Sequence, residues 1–360
     1  MEWLKLIRRK RRVDMSKVVV ITGATSGIGF AAVKEFARMG MAVIGVGRSD
    51  QSCKTALAEI GRESDNEDII YIPADLSSQK QVRKAAGEIT SIVDNRYNGT
   101  IDVLINNAGT FSGWYRATED GYELQFAVNY LSHFLLTNML LPKLGISVDI
   151  GETGKPGIAA TGRIITISSG SHYHTRMNWK DIMNRKRYNC LTAYKQSKLA
   201  DVLFTYALNR RFSDSHNIRA YVVDPGLVNT AIGEKRTGGL VKWFWGMRRK
   251  HGIQPEEAAK TIIYLASENN LIQEDAVYWK ECTPKEPSKY SQDRDAALKL
   301  WRVSERLCGI HEQGTNDIHQ KVENGKPEQN TDTGLQKTER SEPEQMDSRR
   351  LITISRGEAV

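Results

Sequence analysis

A glycine-rich loop constrains the fold of this chain more than any other feature. The loop, T-G-A-T-S-G-I-G at 22–29, follows a run of mostly β-branched residues at 17–22 that is typical of a strand buried on both faces. An amphipathic stretch at 30–39 follows the loop and predicts a helix. A strand, a glycine loop and a helix in this order predict a site where phosphate groups meet the free N–H groups at the helix start.

The alternation of strands and helices continues along the chain and predicts the fold class. Each β-rich run is followed by a helical stretch, which implies parallel strands joined by right-handed crossovers. We therefore predict an α/β fold with a doubly wound parallel sheet, the Rossmann fold, in a single domain. Further strands are predicted at 41–47, 69–75, 101–109, 162–169 and 218–226, and further helices at 51–62, 78–97, 122–144, 193–212 and 255–267.

Composition sets the limits of that domain. The chain is 40% hydrophobic, which is enough for a core, but residues 311–360 contain few aliphatic or aromatic side chains. Such a segment cannot bury enough apolar surface to offset its ordering entropy, so we predict a disordered C-terminal tail there. Residues 1–15 form a basic N-terminal segment, which leaves the folded domain at 16–310.

Cysteine spacing and the first residues predict where the protein works. The four cysteines lie far apart with no C-x-x-C pair, which excludes a zinc ribbon, gives no disulfide framework and fits a reducing compartment. Residues 1–12 lack an apolar core long enough for a signal peptide or a spanning helix. We therefore expect an intracellular protein without a metal site, either cytoplasmic or peripheral on a membrane or lipid surface.

The net charge of +8 includes basic clusters at 8–12 and 242–250. These clusters are either a solvated surface or a contact with anionic lipid or an anionic cofactor. Because the chain has no recognisable motif for reading grooves or bases, we expect no nucleic-acid partner.

The three glycines of the loop have separate roles in holding a dinucleotide. Gly23 permits the sharp turn, Gly27 lets the backbone approach a pyrophosphate, and Gly29 lets the helix and strand pack closely. The alternative is a plain glycine turn, but the strand–turn–helix setting favours a cofactor loop. We therefore assign cofactor contacts to Gly23, Ser26, Gly27, Ile28 and Gly29.

The end of the second predicted strand bears on which nicotinamide cofactor binds. NAD enzymes usually place an acid there that takes both ribose hydroxyls, but here the strand ends at Gly47 and Arg48 follows. Arg48 can pair with a 2′-phosphate, or it is an ordinary surface arginine, and Asp50 falls after the strand end. We expect NADP(H), with NAD(H) as the alternative, and place the adenine ring beside Asp75 and Leu76.

A second constellation of residues carries acid–base chemistry. Tyr194 and Lys198 lie four residues apart and share one face of a helix, where the ammonium group is expected to lower the pKa of the phenol. The phenol can then donate a proton to a carbonyl or take one from an alcohol. Ser169, at the end of the fifth predicted strand, can hold the substrate oxygen, with Ser168 as the competing assignment. Asn129, within an apolar helix, either supports a water relay near Lys198 or is satisfied core polarity.

Together these motifs resemble the short-chain dehydrogenase/reductase family in order and spacing. The resemblance covers about 16–310, and the 25 positions between Ser169 and Tyr194 resemble the retinol dehydrogenase-like branch. The residues that carry the resemblance are Thr22–Gly29, Asn106–Gly109, Asn129, Ser169, Tyr194, Lys198 and Pro225–Gly226.

The resemblance implies a role for each of these residues. Asn129, Ser169, Tyr194 and Lys198 would form a catalytic tetrad, and Lys198 would also bind the nicotinamide ribose. Family members often dimerise through the helices that flank the sheet, so a homodimer is implied as well. Further cofactor contacts would come from residues after the fourth and sixth predicted strands, namely Asn107, Ala108, Gly109, Pro225, Gly226 and Thr230.

The segment at 230–254 combines aliphatic and aromatic residues with basic ones. By resemblance it is a mobile lid over the substrate. Its aromatic side chains close over the substrate, pack on the domain, or lie at a membrane interface. Either arrangement implies a sizeable apolar substrate, such as a retinoid, steroid or isoprenoid alcohol or carbonyl.

The expected function is that of an oxidoreductase that transfers a hydride between NADP(H) and a lipophilic alcohol or carbonyl. The alternative is a non-catalytic dinucleotide-binding regulatory protein, against which the intact tetrad argues. His172 and His174, between Ser169 and Tyr194, lack a metal-ligand spacing and are interpreted as loop histidines.

Overall fold

A computed structural model of the protein describes residues 17–145, 162–212, 218–229, 252–268, 271 and 276–310. All of them belong to one unit, Met1–His311, whereas a second unit, Glu312–Val360, lies outside the described residues. The predicted basic segment at 1–15 and most of the predicted lid, 230–251, also lie outside them. The interpretations of these segments therefore stay predictions.

Eight strands form one sheet in the part of the chain that the structure describes. In chain order they are β1 Val18–Thr22, β2 Ala42–Gly47, β3 Ile69–Pro73, β4 Val103–Asn106, β5 Gly162–Ile167, β6 Ile218–Val223, β7 Tyr278–Lys280 and β8 Thr283–Pro284. Their order across the sheet is β3-β2-β1-β4-β5-β6-β7-β8, and all neighbours are parallel except β7 and β8. This arrangement confirms the predicted α/β fold with a doubly wound parallel sheet.

Helices cover both faces of the sheet. They are α1 Gly27–Arg38, α2 Asp50–Glu63, α3 Gln79–Arg96, α4 (the consecutive pieces Leu124–Phe126, Ala127–Leu131 and Ser132–Leu140), α5 Cys190–Phe212, α6 Pro255–Ser267 and α7 Arg294–Cys308. The middle piece of α4 is a π-helical turn, a local widening that often lies at functional sites. The continuous helix predicted at 122–144 is therefore corrected to a shorter, interrupted one. Within the described ranges, none of these helices is both long and apolar enough to cross a membrane.

The central strand β1 shows how the sheet is buried. Its five residues are all buried, as expected for a strand covered on both faces. Val18 and Val20 pack into an apolar core with α3, α4, α5 and α7, whereas Val19 and Ile21 pack with α1 and α6 on the opposite face. Parallel strands of this kind bring their carboxyl ends to one edge, where ligands bind in open α/β sheets.

Three elements near the C-terminal end of the domain have no counterpart among the predicted ones. β7 and β8 span only three and two residues, and they join through Glu281 and Cys282, whose φ angles are +52° and +56°. Runs this short carry no periodicity. Helix α7, in contrast, has an Asp293 N-cap and a left-handed Gly309 at its end, which are ordinary helix signals in the sequence.

The first turn of α1 packs closely against the glycine loop. A Cβ at Gly29 would lie 2.3 Å from the carbonyl oxygen of Gly23 and 2.4 Å from the side-chain nitrogen of Asn107. The Asn107 side chain is itself held, because its Nδ2 donates to Thr22 O at 2.8 Å. Close packing of this kind is what the sequence led us to expect of the third glycine.

We expect Gly29→Ala to destabilise the protein by about 1–3 kcal/mol, because the added methyl group must displace fixed atoms. Urea unfolding followed by tryptophan fluorescence measures the free energy of unfolding. Gly61→Ala in α2 is the matched control, since nothing lies within 4 Å of where its Cβ would be. That control should be neutral, or more stable by up to about 1 kcal/mol, because alanine favours helices. Equal unfolding midpoints for Gly29→Ala and the wild type would contradict the packing argument.

Candidate functional site

A cleft of about 1020 Å³ opens at the carboxyl edge of the sheet. Its walls come from the loops that follow β1 to β6 and from the N-terminal half of α5. Small-molecule sites usually measure about 300–1,000 Å³, so the cleft is large enough for a sizeable ligand. The predicted site residues that line it are Gly23, Ser26, Gly27, Ile28, Arg48, Asp75, Leu76, Asn107, Ala108, Gly109, Ser169, Tyr194, Lys198, Pro225 and Gly226.

Three other predicted site residues are not among the lining residues. Gly29 packs against Gly23 and Asn107 at the start of α1. Asn129 is fully buried. Thr230 lies outside the described residues, so its expected contact with the cofactor stays a prediction.

The hydroxyl of Thr22 joins the glycine loop to the turn that follows β4. It accepts hydrogen bonds from the backbone N–H groups of Asn107 and Ala108, both at 3.0 Å. Gly23 and Gly27 have φ angles of +66° and +59°, which residues with a Cβ rarely adopt. These two features set the course of the loop, so that the N–H groups at the start of α1 are available to an anionic group.

Arg48, Ser49 and Ser52 line the cleft after β2. Ser49 caps α2, and its hydroxyl accepts a hydrogen bond from Ser52 N at 3.3 Å. Asp50 is exposed, does not line the cleft, and pairs with Lys54 at 2.6 Å. This loop therefore presents one guanidinium group and two hydroxyl groups to the cleft, and its carboxylate is engaged elsewhere.

The loop after β6 makes a second sharp turn at the cleft. Gly226 has a φ angle of +73°, and its N–H donates to Asp224 Oδ1 at 3.0 Å. Pro225 and Gly226 both line the cleft there. After β3, Asp75 lines the cleft as well, and its Oδ1 accepts from the backbone N–H two residues further on at 3.0 Å.

Helix α5 presents both residues of the Y-x-x-x-K motif to the cleft. Tyr194 is half-buried, and its ring packs edge-to-face against Phe111 with the ring centres 5.7 Å apart. Lys198 is buried, and its ammonium group donates to Ile167 O at 2.7 Å and to Asp201 Oδ2 at 3.0 Å. The motif is therefore part of a built site and not a solvated pair on a helix surface.

The structure distinguishes the two serines that follow β5. Ser168 is buried, and its hydroxyl donates to Lys198 O at 2.7 Å, which commits it to the backbone of α5. Ser169 lines the cleft, and its hydroxyl is hydrogen-bonded to Tyr194. The geometry thus places Ser169, and not Ser168, beside the phenol.

Asn129 lies in the π-helical turn of α4. Its side-chain amide donates to Thr110 O at 3.1 Å and to Ser197 Oγ at 2.9 Å, and its side-chain oxygen accepts from Thr110 N at 2.7 Å. These bonds connect a cleft-lining loop to the residue next to Lys198. The buried side chain of Asn129 therefore has hydrogen-bond partners for its amide nitrogen and its oxygen within the protein. The predicted role in a water relay stays a prediction.

The surroundings of Tyr194 hold its phenol in the protonated form. Burial raises the pKa of Tyr194, and the charges of Asp201 and Asp224 raise it further. The charge of Lys198 and the hydrogen bond from Ser169 lower it. Lys198 lowers this pKa, as expected, but the net direction is upward, so the expected net decrease is not found. The physical reason is that desolvation outweighs the ammonium group, which also contacts a carboxylate.

His172 is buried beside the cleft-lining Ser169, whereas the sequence favoured an ordinary loop histidine. It lies in the short helix Gly170–His174, with Nδ1 2.9 Å from Ser169 O and Nε2 3.2 Å from Ser288 N. Because a backbone N–H only donates, Nε2 is the acceptor and Nδ1 carries the proton that is donated to Ser169 O. The neutral ring thereby connects Ser169 to the segment that follows β8.

Several lining residues were not predicted. Thr25 lies within the glycine motif and Thr110 directly follows the N-N-A-G turn, so their places in these motifs could have indicated them. Asp224 precedes the Pro-Gly turn and carried no comparable signal. The described residues contain no group of three or more His, Cys, Asp or Glu that could hold a metal ion.

The residues present fit a phosphate-bearing dinucleotide. The two glycines of the loop adopt the positive φ angles that a phosphate-binding loop requires. The start of α1 supplies N–H donors and the positive end of a helix dipole. The same cleft contains a phenol, a hydroxyl and an ammonium group. It can therefore bind an anionic cofactor and exchange a proton with a bound substrate.

Comparison with known proteins agrees with this chemistry. The chain matches the family model described as short chain dehydrogenase over residues 17–239. It is 37% identical to polyprenol dehydrogenase from Homo sapiens over 302 residues, which cover 82% of this chain and 86% of the relative. It is 35% identical to retinol dehydrogenase 13 from Homo sapiens over 304 residues, with coverage of 82% and 85%. Among solved structures, it is similar to an uncharacterised protein from Mycobacterium Paratuberculosis, with 30% identity, a TM-score of 0.61 and coverage of 81% and 93%.

We expect His172 to make the folded protein sensitive to mild acid. Burial lowers the pKa of His172, so its contribution to stability is fully present above the unfolded value of about 6.5 and is lost as the pH falls through the lower folded pKa. Urea unfolding at pH 7 and pH 5 measures this loss, which should be smaller in His172→Asn than in the wild type. His174→Gln, at an exposed neighbouring histidine, is the control and should keep the wild-type difference. The same loss in His172→Asn as in the wild type would refute the assignment.

Proposed function

Since the chain belongs to the short-chain dehydrogenase/reductase family of NAD(P)-dependent oxidoreductases, we propose which reaction its cleft performs. The protein transfers a hydride between NADP(H) and a lipophilic alcohol or its carbonyl. One observation carries the proposal: the phenol of Tyr194 stands beside Ser169 and Lys198 in the same cleft as the glycine loop. A binding module would need the loop but not the phenol–serine–lysine arrangement.

Each group beside the phenol has a separate task. Tyr194 donates a proton to the carbonyl oxygen during reduction and takes it back during oxidation. Ser169 donates a hydrogen bond to the same oxygen and so holds the substrate. Lys198 keeps a positive charge beneath the phenol. Asn129 supports this arrangement through Ser197 and Thr110.

The cofactor would be held by the residues predicted for it. Bound NADP(H) supplies or accepts the hydride. The glycine loop would hold its phosphates, with Asp75 and Leu76 beside the adenine and the N-N-A-G turn over the adenosine side. Pro225, Gly226 and Thr230 would lie along the carboxamide.

The loop after β2 supports NADP(H) over NAD(H). Arg48 lines the cleft, and Ser49 and Ser52 add two hydroxyl groups beside it. A guanidinium group and hydroxyl groups suit a 2′-phosphate, whereas a 2′-hydroxyl is usually bound by an acid. Asp50 is turned to Lys54, which leaves this loop without that acid at the cleft.

The proposed substrate is a lipophilic alcohol or carbonyl of the retinoid, steroid or isoprenoid type. The two human relatives are named for a polyprenol and for retinol, which are long isoprenoid alcohols. Leu191 lines the cleft and is 41% exposed, so its apolar side chain is available to contact a lipophilic substrate. The predicted lid at 230–254 would add further apolar contacts over the substrate.

Segments outside the described residues extend this proposal. The basic segment 1–15 and residues 240–250 would contact a membrane or lipid surface peripherally, where a lipophilic substrate is concentrated. The protein would also form a homodimer through the helices that flank the sheet. Failure to co-sediment with anionic vesicles would count against the membrane contact.

The alternative function is a dinucleotide-binding regulatory protein without catalysis. It predicts cofactor binding with no turnover of any alcohol or carbonyl. The phenol–serine–lysine arrangement argues against it, because a cofactor can be bound without those three groups.

We expect Tyr194→Phe to lower kcat for carbonyl reduction by about 10²–10⁴-fold while cofactor binding is kept, because only the proton donor is removed. Nicotinamide absorbance with NADPH or NADH and a panel of retinoid, steroid and isoprenoid carbonyls measures turnover. Tyr290→Phe is the control, since its hydroxyl accepts from Trp179 away from the cleft. Wild-type activity in Tyr194→Phe would remove the proposed role, and cofactor binding without turnover in the wild type would favour the regulatory alternative.

We expect Arg48→Gln to weaken NADPH binding by about 10–100-fold, since a charge-assisted hydrogen bond to the 2′-phosphate is lost. NADH binding should change little, so the ratio of the two dissociation constants is the quantity to measure by fluorescence titration. Lys54→Gln, which removes a cation from the neighbouring helix α2 outside the cleft, should leave that ratio unchanged. An equal loss for NADPH and NADH in Arg48→Gln would mean that Arg48 does not read the phosphate.

A further inference from the structure

Three buried ionisable side chains form a chain of contacts that leads from the cleft into the core. Lys198 Nζ lies 3.0 Å from Asp201 Oδ2, and Asp201 Oδ1 lies 3.2 Å from His133 Nδ1. His133 Nε2 lies 2.9 Å from Ala108 O, in the turn that follows β4. Asp201 and His133 are completely buried, and the side chain of Lys198 is 5% exposed.

The hydrogen-bond partners limit where the protons can be. Ala108 O is an acceptor, so His133 Nε2 must carry a proton. An ionised Asp201 is also an acceptor on both oxygens, and it already accepts from Lys198 on one of them. His133 Nδ1 must then carry a second proton to bond to the other oxygen. With Asp201 ionised, the network is an ammonium, a carboxylate and an imidazolium in a row.

The groups that face Asp201 come from two helices, α5 and α4. Asp201 faces Lys198 on its own helix, and it faces His133 and Tyr130 from α4. The hydroxyl of Tyr130 is paired with Ser304 Oγ at 2.6 Å, so it does not compete for the carboxylate. A carboxylate with two cationic partners in a buried place is paired on both sides, which offsets the cost of burial.

The same carboxylate acts on the phenol above it. The charged groups that face Tyr194 are Lys198 and Asp201 from α5 and Asp224 from the loop after β6. Of these, Lys198 favours the phenolate, whereas both carboxylates favour the phenol and so raise the pKa of Tyr194. Asp201 therefore offsets part of the charge that Lys198 presents to the cleft.

We propose that Asp201 and His133 are positioning residues that hold Lys198 from beneath and keep Tyr194 ready as a proton donor by offsetting the lysine charge. This inference rests on the proposed function, since it assigns a task to Tyr194. The inference also separates two properties of Lys198. Hydrogen bonds to Asp201 and to Ile167 O fix the position of the ammonium group, and Asp201 together with His133 balances its charge. A purely structural ion pair would serve the fold without influence on the phenol.

Asp201→Asn is the sharpest variant because it removes the charge and keeps every contact. The asparagine oxygen accepts from Lys198, and its amide donates to His133 Nδ1, which then has no proton. His133 Nε2 still donates to Ala108 O. We expect the alkaline limb of kcat/KM for carbonyl reduction by NADPH to move to lower pH by about one unit. That limb reports the loss of the phenol proton of Tyr194.

His133→Asn should move the same limb in the opposite direction. Its side-chain amide can occupy the place of Nδ1 and bond to Asp201, but it carries no charge. The unbalanced carboxylate then favours the phenol more strongly, so the limb moves to higher pH. Asp94→Asn is the matched control. Asp94 lies on α3 outside the cleft and pairs with Lys143 at 2.6 Å, so the limb should stay in place.

Nuclear magnetic resonance of isotope-labelled histidine tests the proton positions without any turnover. We expect both nitrogens of His133 to be protonated in the wild type and only Nε2 in Asp201→Asn, with His133→Asn identifying the signals. A wild-type His133 ring with a single proton overturns the charge arrangement. A limb that stays in place or moves upward in Asp201→Asn overturns the effect on Tyr194.

These readouts separate the inference from the proposed function. If the wild type turns over no carbonyl, the proposed function fails, and the titration of isotope-labelled Tyr194 in wild type and Asp201→Asn then decides the inference. A lower midpoint in Asp201→Asn supports it, and equal midpoints refute it. If the wild type turns over a carbonyl but both variants keep its pH profile, only the inference fails.

Discussion

The hydroxyl of Thr22 is the contact on which the arrangement of the cleft depends. It receives the N–H groups of Asn107 and Ala108 and so fixes the glycine loop against the turn after β4. From Ala108 the hydrogen bonds continue through His133 and Asp201 to Lys198. The cofactor loop and the acid–base groups thus share one continuous network, in which each polar group is satisfied by the next.

Helix α5 shows that such a network requires buried polar residues. Most of its length is buried, and its buried residues include polar ones such as Gln196, Ser197 and Thr205 as well as Lys198. Each of these three has a hydrogen-bond partner within the protein: Gln196 donates to Ile182 O, Ser197 to Tyr194 O and Thr205 to a backbone oxygen of the same helix. A helix of this kind has no clear polar face, so its role was visible from the Y-x-x-x-K spacing and not from its periodicity.

Local patterns carried the prediction of the fold and of much of the site. The strand–loop–helix order indicated the cofactor loop, and a spacing of four residues brought Tyr194 and Lys198 to one helix face. Non-local contacts carried what the sequence missed. His133 and Asp201 are 68 positions apart, and nothing in either segment indicates that they touch. The direction of the Tyr194 pKa depends on burial and on such distant carboxylates, so the neighbouring lysine alone gave the wrong sign.

Both edge strands of the described sheet end in a proline, which cannot donate a backbone hydrogen bond. The outer strand β3 ends at Pro73, and β8 on the other side ends at Pro284. β8 is also only two residues long, after a tight turn at Glu281 and Cys282. Short, proline-bearing margins are poor templates for a strand from another molecule. Copies of this protein are therefore discouraged from joining sheet to sheet into aggregates, even when they are crowded together.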